Sequence, residues 1–176
     1  GAKLTADQYA EIAGKAVEHH PDALKHVDAF GKKLTADQYA AIVLKAAEGN
    51  AQTFSLKDVR GTALTAERYA EIARKAVERN YDALKDVDAV GAKLTADQYA
   101  EIVLKALERH AQTHWGIHFP KAVLGHAQTF SLKDVKSTAL TTERYVEIAG
   151  KAVQRHRDAL KDVDVDGAMV PADQYA

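Results

Sequence analysis

The chain has 176 residues, in which 24 Lys and Arg stand against 25 Asp and Glu for a net charge of −1 and a pI near 6.8. That balance leaves no electrostatic footprint for nucleic acid or an anionic membrane. The absence of cysteine excludes disulfides and thiolate metal sites and is compatible with a reducing compartment. No signal peptide, transit peptide or membrane-spanning apolar run is visible, so the chain reads as soluble.

One phrase organises everything else. Leu94-Thr-Ala-Asp-Gln-Tyr-Ala-Glu-Ile recurs, with small changes, at Leu4, Leu34, Leu64, Leu140 and Val170. Most starts are 30 residues apart, but Leu94 to Leu140 carries a 16-residue excess, placed at about Ala111 to His126. The copies are therefore 4–33, 34–63, 64–93, 94–139 with the insertion at 111–126, 140–169 and a partial 170–176. Such a period predicts a single array across 1–176, and the break in mid-phrase reads as a piece of a longer one.

In the first copy, Thr5 suits the N-cap, Asp7 the first turn and Gln8 the capping-box position, while Leu4 and Tyr9 have hydrophobic-staple spacing. Tyr9, Ile12, Ala13, Ala16 and Val17 then mark one face of a helix, and Glu11 and Lys15 form an i, i+4 pair on the other. The helix is expected to stop near His20, because Pro21 disfavours helical geometry in the residue before it. A second, short helix over Asp22 to Asp28 packs Leu24 and Val27 back on the first, and Gly31 gives a flexible exit; Gly61, Gly91 and Gly167 hold the same place.

A hairpin this small cannot bury its apolar face alone. The expected fold is all-α, an α-solenoid of roughly 30-residue helical-hairpin repeats with one 16-residue insertion, right-handed or gently curved. The copies alternate: those at Leu4, Leu64 and Leu140 contain Asp-Ala-Leu-Lys-x-Val-Asp, whereas those at Leu34 and Leu94 carry Ala-Gln-Thr-Phe-Ser-Leu-Lys-Asp-Val.

Lys75-Ala-Val-Glu-Arg-Asn80 followed by Tyr81-Asp-Ala-Leu-Lys-Asp-Val87 resembles a family of tandem α-helical repeats of unassigned function with the hallmark Ala-Val-Lys-Gln-Asn-Gly-x-Ala-Leu-x-Tyr-Val. Ala76, Val77, Asn80, Ala83, Leu84 and Val87 carry the match. The resemblance implies a helical array of the sort found in secreted bacterial effectors, and it offers no catalytic residue. Leu-Thr-x-Asp-Gln-x-x-x-Ile-Ala, with Ala-Leu-x-x-Val further on, is also similar to the DNA-reading repeats of the transcription-activator-like effectors. Their base-reading loop needs a Gly pair, and here Gly14-Lys-Ala-Val17 or Arg74-Lys-Ala-Val77 continues the helix instead. With a net charge near zero, nucleic acid is not the expected partner, and the shared words read as convergent helix capping.

The chemistry-bearing residues are few. His20, Asn50, Asn80, His110 and His156 share one position of the copies, where the first helix ends and the second begins, and a capping or hydrogen-bonding role there explains all five. In the insertion, His114 and His118 are four apart with His110 one turn earlier, the spacing of a Zn²⁺ or Ni²⁺ site, although no Glu follows His114 to act as a general base. Trp115, Ile117 and Phe119, with Val123 and Leu124, form an apolar cluster outside the repeat pattern that either packs on the array or binds a partner. Paired carboxylates such as Asp86 and Asp88 recur with the repeat and read as scaffold. The sequence therefore points to a non-enzymatic scaffold for protein–protein interaction without a cofactor. A metal-binding module, a nucleic-acid reader and a plain structural spacer are the alternatives.

Overall fold

The computed structural model describes residues 4–49, 54–115, 131–155 and 157–163. Within them the protein is all-α, with five α-helices, short 3₁₀ segments and no strand. The helices are α1 (Ala6–His19), α2 (Ala36–Glu48), α3 (Ala66–Arg79), α4 (Ala96–Trp115) and α5 (Thr142–Arg155).

Each start obeys local capping chemistry. The hydroxyls of Thr5, Thr35, Thr65, Thr95 and Thr141 accept from the backbone N–H three residues on. Gln8, Gln38 and Gln98 return the bond to the backbone N–H of their N-cap threonines, closing capping boxes.

The connections come in two forms. After α1, α3 and α5 a six-residue 3₁₀ segment follows: Pro21–His26, Tyr81–Asp86 and Arg157–Asp162. The connections that precede α3 and α5 contain instead two three-residue turns, Leu56–Asp58 with Gly61–Ala63 and Leu132–Asp134 with Ser137–Ala139. The four that lie between helices are tied down by the same atom of the preceding long helix: the hydroxyls of Tyr9, Tyr39, Tyr69 and Tyr99 accept from the backbone N–H of Asp28, Arg60, Asp88 and Lys136.

The exits differ from the expected flexible glycine. Gly31 and Gly91 are not in the left-handed region, whereas Lys33 and Lys93 are, each at φ 55°. Here glycine leaves room for a carboxylate: those of Asp28 and Asp88 accept from the N–H of Gly31 and Gly91 at 2.9 Å. A Cβ on either glycine would collide with that same carboxylate.

Consecutive helices pack on one another, α1 on α2 and so on to α5, and the segments after α1 and α3 also touch the next helix. The core runs between them. Tyr39, Tyr69, Tyr99 and Tyr145 are fully buried, as are Ile72, Ile102 and Ile148, with Ala46, Ala106 and Ala152 allowing close approach. Among the described residues no helix is long and apolar enough to cross a membrane.

Candidate functional site

The far end of α4 holds the residues singled out from sequence. α1, α2 and α3 have 14, 13 and 14 residues, whereas α4 has 20 and runs on to Trp115. The helix was expected to end at His110, and that placement is corrected. In α2 the chain leaves the helix at Gly49; the corresponding residue of α4 is Arg109, a good helix former, and Ala111 follows without a breaker. His110 is thus inside a helix and cannot cap one. At the equivalent ends, His20 and Asn80 do follow the last helical residue, and the Asn80 side chain accepts from the N–H of Asp82 at 3.0 Å. Asn50 and His156 lie outside the described residues.

His110 is buried to 1% exposure, its ring meeting that of Tyr81 edge-on with centroids 4.8 Å apart and an interplanar angle of 85°. Burial, with the charge of Asp82 adding to it, pushes the Tyr81 phenol above its ordinary value. The histidine therefore joins α4 to the 3₁₀ segment Tyr81–Asp86. His114 and Trp115 belong to the last turn of α4, and Ile117, His118 and Phe119 lie outside the described residues. No three His, Cys, Asp or Glu side chains among the described residues converge on a point that could hold a metal.

A second surface, the groove between α3 and α4, is lined almost wholly by charge, and each charge has a counter-ion. Arg74 reaches Glu101 at 2.9 Å and Lys105 reaches Glu78 at 3.2 Å. The hydrogen bond from Lys105 to Glu78 holds the ammonium above its usual value, so it stays a cation.

The same groove belongs to a pattern that the sequence reading did not find. Glu18 with Lys45, Glu48 with Lys75 and Glu78 with Lys105 link the last turn of one helix to the next at 4.0, 2.9 and 3.2 Å. At the other end Asp7 accepts from Gln38, Asp37 from Arg68 and Asp97 from Arg144. The signal was present as like charges recurring about 30 residues apart; read helix by helix, it shows only i, i+4 pairs such as Glu11 with Lys15, which the structure also contains at 2.8 Å.

The shifted groups elsewhere are structural. Burial raises the phenols of Tyr39, Tyr69 and Tyr99. Asp134 is raised by desolvation, and Asp82 and Asp162 repel its charge while Lys85 partly offsets them. No protein-family model, curated protein or solved structure matches the chain at a significant level.

Proposed function

We propose that the chain is an α-solenoid scaffold for protein–protein interaction, without enzymatic activity, whose recognition element is the inserted segment 111–126. The carrying observation is the prolongation of α4. The contacts around it follow one rule before and after the insertion: Tyr39 binds a backbone N–H 21 residues on and Tyr99 one 37 residues on, while Asp37 and Asp97 reach arginines 31 and 47 residues away. The 16 extra residues leave the stacking contacts in place. A segment that is spare to the 30-residue spacing, begins in the last turns of a long helix and carries Trp115, Ile117 and Phe119 within five residues of sequence has the composition of an interface hot spot. Stacked hairpins supply the rest, a preformed surface that binds without first being ordered.

Trp115 is the only tryptophan, so its fluorescence reports on the element directly. Peptides selected for binding to the intact chain are expected to shift Trp115 emission. They are expected to lose at least about tenfold in affinity against Trp115→Ala, as for a hot-spot residue. Selected binders that leave the emission unchanged and bind Trp115→Ala equally well would contradict the assignment.

A further inference from the structure

One stripe of α1 differs from its counterparts in every later helix. Ile12 is 54% exposed, whereas Ile42, Ile72, Ile102 and Ile148 are at most 2% exposed. Ala16 is exposed and Tyr9 half-buried, whereas Ala46, Ala76, Ala106 and Ala152, and Tyr39, Tyr69, Tyr99 and Tyr145, are buried. Leu4, ahead of the stripe, is also exposed. Tyr9, Ile12 and Ala16 are spaced i, i+3, i+7, one side of a helix. Each of the later helices packs on the helix before it.

The polar groups flanking the stripe match as well. Gln8 stands where Gln38, Arg68 and Arg144 bind the first-turn aspartate of the preceding helix. Lys15 stands where Lys45, Lys75 and Lys105 meet the last-turn glutamate of the preceding helix. Lys15 itself turns back onto Glu11 at 2.8 Å, as Lys151 does onto Glu147 at 2.7 Å in α5, where the residue of the preceding helix is Glu108. The Lys32 ammonium lies 5.6 Å from the centre of the Tyr9 ring.

We propose that the outer face of α1 is an interaction surface for a helical hairpin of the 34–63 kind, joined ahead of Leu4 as that hairpin is joined ahead of Leu64. The occupant follows from the established interface. α3 resembles α1 in sequence, and its face is covered by α2, an amphipathic helix with Asp37 in its first turn and Glu48 in its last. On α1 the same occupant buries Tyr9, Ile12 and Ala16 and places a carboxylate against each of Gln8 and Lys15. The inference rests on the stacked-repeat part of the proposed function and not on partner capture by the insertion.

The test joins a second copy of the sequence 34–63 directly ahead of Leu4 in the full chain. The extended protein is expected to melt on the order of 5 °C higher, from the apolar area newly buried. The amide of Ile12 is expected to exchange at least about tenfold more slowly. Ile12→Glu should abolish both gains in the extended chain, yet leave the melting of the unextended chain within about 1 °C, since a surface substitution is nearly neutral. Equal melting of the two chains, with the 30 added residues unprotected, would overturn the proposal. So would self-association of the unextended chain that Ile12→Glu abolishes, because the face would then belong to a second copy. Stability and exchange are read without any partner, so the two proposals fail separately.

Discussion

Tyr69 shows how one side chain serves both the core and the connection. Its ring is 1% exposed, and its hydroxyl accepts from the Asp88 N–H at 2.8 Å, so the helix and the segment after it are fixed together. Tyr69→Phe keeps the ring and strands the N–H, and is expected to cost about 1 kcal/mol in urea denaturation. The phenol is also a pH probe. Burial raises Tyr39, Tyr69 and Tyr99 above the ordinary 10.0, so between the unfolded and folded values the native state holds more protons than the unfolded one. The stability carried by the neutral phenols is complete below about pH 10 and falls as pH rises beyond it. Denaturation from about pH 8 to about pH 11 is expected to show that decline, with less of it in Tyr69→Phe; a flat profile would contradict buried, neutral tyrosines. The apolar face containing these tyrosines was legible in the sequence because it is periodic. The partner of the hydroxyl was not, since a backbone N–H leaves no trace in residue type.

At the scale of the element, starts were legible, and so was the stop of α1 at His20, but the stop of α4 was not. A threonine followed by a glutamine three residues on states its capping box in sequence, and the boxes at Thr5, Thr35 and Thr95 have closed as read. α4 runs on past His110, with Arg109 standing where Gly49 ends α2, so shared position alone placed the helix end, and with it a capping role, wrongly at His110. The exits hide a subtler difference. Gly91 serves the Asp88 carboxylate, and the left-handed conformation falls on Lys93 at φ 55°. A lysine there carries about 1–2 kcal/mol of conformational cost that glycine does not, offset in part by glycine's greater freedom when unfolded. Lys93→Gly is therefore expected to stabilise the protein by about 0.5 kcal/mol, measured in urea beside the parent. Clear destabilisation would show that the Lys93 side chain contributes a contact outweighing its backbone cost.

For the whole molecule, order along the stack is written in contacts between helices. Glu48 with Lys75 and Asp37 with Arg68 join α2 to α3 at opposite ends. Such exposed pairs add little stability and instead set register, since a helix displaced by one turn would bring the wrong charges together. Sequence alone supplied the 30-residue ruler, the helical class and the position of the insertion. It could not show which residues of the apolar face meet a neighbour: Ile12 and Ile42 sit in nearly the same words, yet one is 54% exposed and the other 2%.

The most direct test of the account is thermal unfolding, followed by circular dichroism, of the chain lacking residues 111–126, with binding of the selected peptides measured on the same sample. Joining His110 to Ala127 restores the spacing of Asn50 and Ala51. Tyr99 then lies as far from its N–H partner as Tyr39 does from Arg60. The account predicts one cooperative transition within about 2 °C of the parent, with peptide binding lost. Loss of that transition, with α4 and α5 unfolded, would contradict it by making 111–126 part of the stack.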